Sequence, residues 1–333
     1  MGAMKQTDLG LNLTTKRTRK REFLAQMERV VPWAALVELV SPFAPDGKKG
    51  RPAFPVATML RIHFMQQWFS LSDPAMEEAL HDVPLFREFA GLGGWAEALP
   101  DETTILRFRH QLEKHKLGPK ILQAVNEMLQ AKGLMLREGT VVDATLIAAP
   151  SSTKNASGER DPEMKQSRKG QQWYFGMKCH IGVDMTSGLV HTVKGTSGAV
   201  NDVIEANSLV RPSDQEVFAD AGYQGAGNRP DARDDVTWHI AMRPGKRRTL
   251  DPAKPIEALT EQLEREKAGI RARVEHPFRV VKRQFGHVKV RYRGLAKNTA
   301  QLHTLFALAN LWMARKKLAV LVGQIRPTMA GTA

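Results

Sequence analysis

The stretch GTVVDATLIAAP, residues 139–150, marks the point at which the pattern of the chain changes from helical to extended. It is β-branched and apolar, which predicts a strand that is buried on both faces. Its one acid, Asp143, stands in the middle of that strand. Because a buried carboxylate without a partner is unfavourable, we expect Asp143 to be protonated, to form a core salt bridge or to bind a metal ion.

The charge of the chain indicates a polyanionic partner. Its 333 residues include 49 Lys and Arg against 35 Asp and Glu, which gives a formal net charge of +14. Such an excess attracts phosphate backbones, so nucleic acid is the first partner to test. The excess is concentrated in residues 16–21, 243–248 and 271–297, which favours a binding surface. A ribosomal or merely basic protein is the alternative.

The composition narrows the class of protein further. A hydrophobic fraction of 42% with 7% aromatic residues is typical of a globular chain. The single cysteine, Cys179, excludes an internal disulfide and a cysteine-rich zinc site, and we expect it in a buried strand. There is neither an apolar run of membrane-spanning length nor the apolar core of a signal peptide. We therefore expect a soluble, cytoplasmic protein with no membrane contact.

Four more strands are predicted after residue 170, so the expected sheet has five strands. They lie within residues 172–185, 189–196, 216–225 and 236–242. The third of these ends in Asp220, and an acid at the carboxyl end of a strand in an α/β sheet lies where ligand sites form. Trp173, Tyr174 and Phe175 are predicted to belong to the sheet core, with base stacking by Trp173 as the alternative.

Residues 150–170 are rich in Ser, Thr, Lys, Arg and Gly and show no apolar period. They are predicted to form a long, mobile basic flap, suited to closing on a nucleic-acid backbone.

The chain before residue 137 is predicted to be helical. Apolar residues recur at steps of three and four between turns that contain Pro and Gly, and Asp101 is expected to cap a helix. That helix carries Arg107, Arg109 and Lys114, which could form a helix-turn-helix-like DNA reader. A helix with an ordinary basic exposed face is the alternative.

Three acids on separate segments are of the type that phosphodiester chemistry needs. Two divalent cations about 3.5–4 Å apart can activate a nucleophile and stabilise the leaving oxygen, and Mg²⁺ prefers carboxylate ligands. Asp143, Asp220 and Glu275 could supply them, but they are separated by 77 and 55 residues. Only the fold of the sheet can bring such distant residues together.

Five stretches of the chain carry a family resemblance: TRKREFLAQMERVVPW (18–33), GRPAFPVATMLR (50–61), VVDAT (141–145), FADAGYQG (218–225) and RARVEHPFRVVKRQFG (271–286). Together they resemble the DDE transposases of bacterial insertion sequences, specifically the insertion sequence five group. The resemblance implies a ribonuclease-H-like core, an α/β fold with a five-stranded mixed sheet and flanking helices. It also implies that Asp143, Asp220 and Glu275 are catalytic and hold two Mg²⁺ or Mn²⁺ ions.

The third acid of that family lies in a signature of Tyr, two residues, Arg, three residues, Glu, six residues, Lys. Arg271, Glu275 and Lys282 match this spacing, and Ala268 stands at the Tyr position. On one unbroken helix the three would share a face and could clamp phosphates beside the metal ions. Pro277 is expected to kink the helix near Glu275, which makes the common face approximate.

The resemblance and the charge pattern together predict the organisation of the chain. Residues 1–21 would be a basic arm, 22–136 a helical domain that binds DNA ends, 137–323 the catalytic domain with its flap at 150–170, and 324–333 a tail. The residues expected to contact DNA are basic: Lys16, Arg17, Arg19, Lys20, Arg21, Lys154, Lys169, Lys246, Arg247, Arg248, Arg271, Lys282 and Arg283.

The expected function is that of a transposase, which binds the terminal inverted repeats of its element, cleaves DNA and joins the 3′-OH to target DNA. A homodimer or higher assembly on double-stranded DNA, in the bacterial cytoplasm and associated with the nucleoid, is implied. The alternatives are a non-catalytic DNA-binding protein derived from a transposase and a nuclease of the same fold.

Overall fold

The computed structural model describes residues 17–45, 52–93, 98–136, 138–154 and 158–324. Seven α-helices occupy the described residues up to 131, in agreement with the helical pattern of this region. They are α1 (Arg19–Val30), α2 (Trp33–Val40), α3 (Val56–Phe69), α4 (Asp73–Asp82), α5 (Pro84–Ala90), α6 (Glu102–Lys114) and α7 (Leu117–Ala131). Asp101 caps α6, as predicted, because its side chain accepts a hydrogen bond from the Thr104 N–H at 2.6 Å.

Six strands and five more helices follow among the described residues after 138. The strands are β1 (Thr140–Ala148), β2 (Lys165–Lys169), β3 (Gln172–Asp184), β4 (Val190–Ser197), β5 (Glu216–Ala219) and β6 (Thr237–Ile240). The helices are α8 (Asp202–Glu205), α9 (Pro244–Arg247), α10 (Pro255–Arg271), α11 (Glu275–Arg279) and α12 (Leu295–Gln324). Crossing a membrane requires a helix both long and apolar, and no helix in the described ranges has both properties.

The six strands form one mixed sheet, which confirms the predicted mixed α/β class. The long strand β3 pairs antiparallel with β1, β2 and β4, whereas β5 runs parallel to β1 and β6 runs parallel to β5. Cys179 lies in β3 and is fully buried, as predicted. The prediction of five strands is wrong, because β2 is a sixth.

The extra strand lies inside the segment that was predicted to be a flap. Residues 165–169 pair with 172–176 through a tight turn at Gly170, whose φ of +61° suits glycine. An edge strand that projects into solvent needs no apolar alternation, and charged residues are common on such edges. For the same reason the predicted burial of Trp173 and Tyr174 is wrong, since their exposed fractions are 65% and 36%.

The larger of two hydrophobic core clusters joins the helical region to the sheet, and the smaller one packs Val142, Val217 and Ala219 against residues 206–226. Helix α12 lies at the centre of the larger cluster and packs against α1, α7 and β4. Its buried Asn310 accepts a hydrogen bond from the Val190 N–H at 2.8 Å and donates to the Val190 carbonyl at 2.7 Å and to Asn126 Oδ1 at 2.8 Å. This amide therefore links α12 to β4 and α7 at one point, while the domain boundary at residue 136 stays a prediction.

A buried ion cluster holds α4 against α6. The Arg109 guanidinium donates to Asp73 at 3.0 Å and to Glu113 at 2.8 Å, and its centre lies 4.1 Å from the Tyr292 ring. Only 9% of the Arg109 side chain is exposed. It cannot read a DNA groove from there, so the helix-turn-helix-like use of Arg109 is wrong, although Arg107 on the same helix is exposed.

Replacing Arg109 with methionine should destabilise the protein by about 3–5 kcal/mol, because two partly buried carboxylates would lose their cation. The measurement is the free energy of unfolding in urea at pH 7. Arg107→Met is the matched control on the same helix and should change stability by less than about 0.5 kcal/mol. Equal unfolding curves for the two variants would contradict this account of the cluster.

Candidate active site

Two of the three predicted acids lie side by side on neighbouring strands. In the parallel pairing of β1 with β5, Val141 lies beside Phe218. Two residues further along each strand are Asp143 and Asp220, so the same register brings them together at the carboxyl end of β5. Asp220 directly follows β5, and its side chain accepts a hydrogen bond from the Gly222 N–H at 2.8 Å. The glycine turn thus fixes the Asp220 carboxylate at the strand end.

The environment of Asp143 disfavours its charge. The pKa of its carboxyl is raised to about 6, first because burial penalises the ionised form and then because the charges of Asp220 and Asp202 lie nearby. The Ala144 N–H, 2.7 Å from Oδ1, and the positive charge of Arg271 act in the opposite direction. The Asp143 carboxylate is therefore partly buried beside a second carboxylate, and a bound cation would stabilise its charge.

The third acid, Glu275, lies in a helical segment whose hydrogen-bonding pattern is interrupted on both sides of it. Helix α10 ends at Arg271, a 3₁₀ turn covers residues 272–274, α11 begins at Glu275, and a π turn covers 280–284. Pro277 is the third residue of α11, a first-turn position that tolerates proline because its missing N–H would have no helical partner. The helical segment is thus irregular on both sides of residues 275–279, whereas Pro277 lies inside this α-helical turn, so the kink at Pro277 stays a prediction.

Contacts on both sides of Glu275 attach this segment to the sheet. The Arg273 guanidinium donates to the Met185 carbonyl, and Val274 is buried. Further on, the Lys282 ammonium donates to Thr145 Oγ1 at 2.6 Å and to the Leu146 carbonyl at 3.0 Å. Thr145 lies two residues beyond Asp143 in β1, so Lys282 reaches the strand that carries the first acid.

Glu275 itself is exposed, and no contact brings it to Asp143 or Asp220 among the described residues. Its two signature neighbours do approach β1, Arg271 through its charge on Asp143 and Lys282 through Thr145. Ala268, at the place of the family tyrosine, is exposed on α10. Asp143 and Asp220 therefore lie close together near the carboxyl end of β5, and Arg271 and Lys282 both interact with β1 there. Glu275, on the same helical segment as these two cations, faces solvent.

Two of the three predicted ligands are placed so that they could bind a hard divalent cation. Asp143 and Asp220 offer carboxylate oxygens, the ligands that Mg²⁺ and Mn²⁺ prefer. Within the described ranges, no three His, Cys, Asp or Glu side chains converge closely enough to hold a metal ion. A cation at this place would be held by these two aspartates, and Asp202 is the further acid whose charge acts on Asp143.

Asp202 and Tyr223 are two neighbours of this site that the sequence analysis did not select. Asp202 begins α8 and pairs with the Lys178 ammonium at 2.9 Å. The Tyr223 hydroxyl is buried without a hydrogen-bond partner among the described residues. Burial and the charges of Asp143, Asp202 and Asp220 raise the pKa of this phenol. Asp202 was overlooked because an acid in the first turn of a predicted helix is ordinary.

Most of the residues predicted to bind DNA lie on the surface. Those that the structure exposes are Arg17, Arg19, Lys20, Arg21, Lys154, Lys246, Arg248 and Arg283. Lys16 lies outside the described residues, and Lys169 is the last residue of β2. The Lys20 ammonium lies 5.2 Å from the Phe69 ring and 5.1 Å from the Phe86 ring, so α1 holds it against the helical region.

Two of the predicted DNA contacts already have carboxylate partners. Arg21 pairs with Glu88 at 3.0 Å, and Arg247 donates two hydrogen bonds of 2.8 Å to Glu261. The paired Arg247 guanidinium would have to leave Glu261 before it could bind a phosphate with the same N–H groups. Lys246 and Arg248, on either side of it, are exposed, and neither has an ion-pair partner among the residues that the structure describes.

Comparison with known protein families gives two matches. Residues 135–311 match the family model described as "Transposase DDE domain". These 177 positions are slightly more than half of the 333-residue chain and contain Asp143, Asp220 and Glu275. Residues 12–111 match the family model described as "Transposase domain (DUF772)", which extends from before α1 into α6.

Without divalent metal, Asp143→Asn should stabilise the protein at pH 8 by on the order of 2 kcal/mol. The pKa of Asp143 rises from an ordinary 3.8 to about 6 in the folded state. Below pH 4 Asp143 is protonated in both the folded and the unfolded chain and costs no stability. As the pH rises through 6, Asp143 must ionise in an unfavourable place, and the folded state loses stability relative to the unfolded state. The measurement is the urea midpoint at several pH values in EDTA.

Glu266→Gln, which removes an exposed acid on α10, is the control for the loss of one charge. The two variants should diverge above pH 6 and converge below pH 4. A midpoint for Asp143→Asn equal to that of the native chain at pH 8 would show that Asp143 is not under this electrostatic strain.

Proposed function

The chain belongs to the family of transposases with a DDE domain, and we propose that it cuts and joins DNA at the ends of an insertion sequence. In this proposal the protein binds the terminal inverted repeats, cleaves DNA to expose a 3′-OH, and transfers that 3′-OH into target DNA. One observation carries the proposal: within the matched region, the β1–β5 register puts Asp143 beside Asp220, in an environment that disfavours the charge of Asp143.

We further propose that the core is ribonuclease-H-like and that the protein belongs to the insertion sequence five group. Support for the core comes from the strand arrangement, in which an antiparallel set built on β1 and β3 continues into the parallel strands β5 and β6. Support for the group comes from the stretches around Asp143, Asp220 and Glu275. Both assignments are more specific than the two family matches.

The proposed metal ligands are Asp143, Asp220 and Glu275, with two Mg²⁺ or Mn²⁺ ions per site. When bound, such ions lower the pKa of an attacking water or hydroxyl and stabilise the charge on the leaving oxygen. Asp143 and Asp220 satisfy the requirement for hard oxygen donors on a rigid support. For Glu275, the support is its position between Arg271 and Lys282, both of which interact with β1.

The cations of the signature have a separate role in this proposal. Arg271 already acts on Asp143 through its charge, and a guanidinium there can also hold a phosphate oxygen with two N–H groups. Lys282 keeps the end of β1 in place through Thr145 and Leu146, which makes it a positioning residue in the absence of DNA. Together they would orient the phosphodiester relative to the two aspartates.

Two reaction steps use this site. In cleavage, a water oxygen bonds to phosphorus while the 3′ oxygen leaves with a proton, so the products are a 3′-OH and a 5′-phosphate. In strand transfer, that 3′-OH oxygen bonds to a target phosphorus, loses its proton, and displaces a target 3′ oxygen. Cleavage breaks one phosphodiester bond, and strand transfer forms one and breaks one. Neither step needs an oxidant.

The partners in this proposal are element ends, target DNA and a second copy of the chain. The net charge of +14 and the exposed cations in residues 17–21 and 246–283 support a DNA partner. A dimer or higher assembly is proposed because two element ends must be joined in one reaction. The proposed place of action is the nucleoid in the bacterial cytoplasm.

The test uses a plasmid that carries the gene with its native flanking DNA, incubated with the full chain and Mg²⁺. Asp143→Asn and Asp220→Asn should each reduce nicking and joining at least about 100-fold, because a carboxylate ligand is lost where charge develops. Gel-shift affinity for the same DNA should change less than about threefold. Unimpaired cleavage by Asp143→Asn would refute the assignment.

The same assay separates the alternatives. Binding with no metal-dependent nicking on any flanking sequence would favour a non-catalytic binding protein. Nicking without joined products would favour a nuclease.

Glu275 needs its own test because it is exposed. Glu275→Gln should abolish cleavage as completely as Asp143→Asn, whereas Glu266→Gln, an exposed acid on the preceding helix, should retain native activity. Since Glu275 is at the surface, its replacement should leave the thermal midpoint within about 2 °C of the native value. Cleavage at the native rate by Glu275→Gln would remove this residue from the site.

A further inference from the structure

The hairpin formed by β2 and β3 projects beyond the rest of the sheet. Strand β1 ends opposite Gly176 of β3, and β4 ends opposite Met177. Residues 172–175 of β3 therefore have β2 as their ladder partner among the described strands. The projecting end of the hairpin is thus a surface separate from the candidate active site.

One face of this hairpin alternates cations with aromatic rings. Residues directly opposite in an antiparallel pair point to the same side, so Arg168 and Trp173 share a face, and Phe175 follows two residues later. The Arg168 guanidinium lies 5.9 Å from the Trp173 ring, and the Arg160 guanidinium lies 5.5 Å from the Phe175 ring. Trp173 is 65% exposed, a large apolar surface for a protein to leave in water.

Backbone carbonyls hold both guanidinium groups in these positions. Arg160 Nε donates to the Ser151 carbonyl at 2.7 Å, and Arg168 Nε donates to the Gly170 carbonyl at 3.0 Å. Each group has five N–H donors in total. Neither arginine has an ion-pair partner in the part of the chain that the structure describes. The two guanidinium groups are therefore held in place by backbone carbonyls, without an ion pair among the described residues.

The hairpin itself lacks acids. No Asp or Glu occurs between residues 164 and 183, and Lys165 adds another exposed cation. The two nearest acids before it are engaged at its base, where Asp161 accepts from the Gly294 N–H at 2.7 Å and Glu163 accepts from the Leu295 N–H. These bonds attach the base of the hairpin to the start of α12, so the exposed end projects from a fixed support.

We propose that this hairpin face is a second DNA contact, at which the Trp173 indole stacks on an unpaired or unstacked base while Arg160 and Arg168 bind the adjoining phosphates. An exposed ring flanked by guanidinium groups matches a base flanked by phosphates in both shape and charge. A paired and stacked base does not offer its face to the indole, so the contact selects distorted DNA. The proposal rests on the proposed function, since it takes DNA as the substrate.

The position of Trp173 separates this contact from the reaction centre. Asp143 lies opposite Ile181, and Trp173 is eight residues from Ile181 along β3. Eight residues of strand span roughly 26 Å. That length corresponds to about eight base pairs of duplex. The hairpin would therefore grip DNA at a distance from the phosphate that is cut, where a kink or an opened end presents a free base.

The test compares binding to two oligonucleotide duplexes of the same length, one fully paired and one with a short central run of mismatches. Fluorescence anisotropy with the full chain in EDTA gives the two affinities. Trp173→Ala should weaken binding to the mismatched duplex by about 10-fold or more, as loss of one stacked base predicts, and binding to the paired duplex by less than about twofold. Trp173→Phe should restore most of the loss.

Two further measurements exclude indirect effects. Ile256→Ala, which trims a side chain that is 81% exposed on α10, is the matched control and should bind both duplexes as the native chain does. A 2-aminopurine base placed in the mismatched run should be quenched by the native chain and less so by Trp173→Ala. Equal losses on both duplexes, no loss on either, or altered self-association with unchanged DNA affinity would each overturn the proposal.

The outcome is independent of the cleavage result. A chain that never cuts its flanking DNA but discriminates the two duplexes through Trp173 would contradict the proposed catalysis and support the hairpin contact. A chain that cuts through Asp143 but binds both duplexes equally in the native and Trp173→Ala forms would support the catalysis and overturn the hairpin contact.

Discussion

The parallel pairing of β1 with β5 is the constraint on which the candidate site depends. It is short, yet its register decides which residue of one strand lies beside which residue of the other. A slip of one residue would turn Asp143 and Asp220 to opposite faces, since side chains alternate along a strand. Val141 and Phe218 are buried in one core cluster and their neighbours Val142 and Val217 in the other, so a slip would disrupt the packing on both faces of the sheet. The packing of apolar residues thus fixes the spacing of the charged ones.

The two aspartates could be selected from sequence because their local surroundings are distinctive. An acid within a β-branched run and an acid at a strand end before a glycine turn are both visible without a structure. Strand pairing is not visible in that way, because it depends on residues about 75 positions apart. The adjacency of Asp143 and Asp220 therefore had to come from the family resemblance first and from the register afterwards.

The errors of the sequence analysis have a common physical origin. Periodicity reports which face of a segment is buried, so it cannot detect β2, whose residues are largely exposed. It also assumes that aromatic residues in a strand pack inward, which fails for Trp173 beyond the edge of the core. Arg109 is the reverse case, because a charged residue on a predicted surface is buried by two acids that lie 36 residues before it and four residues after it.

The continuity of the core across α12 has a mechanical consequence. Asn310 bonds to β4 and α7 at once, and the larger core cluster contains buried apolar residues of both the helices and the sheet. In the proposed complex with DNA, this connected core would hold the helices and the sheet in a constant arrangement. A duplex whose path does not match that arrangement would have to bend or open, so the proposal implies tighter binding of sequences that deform easily.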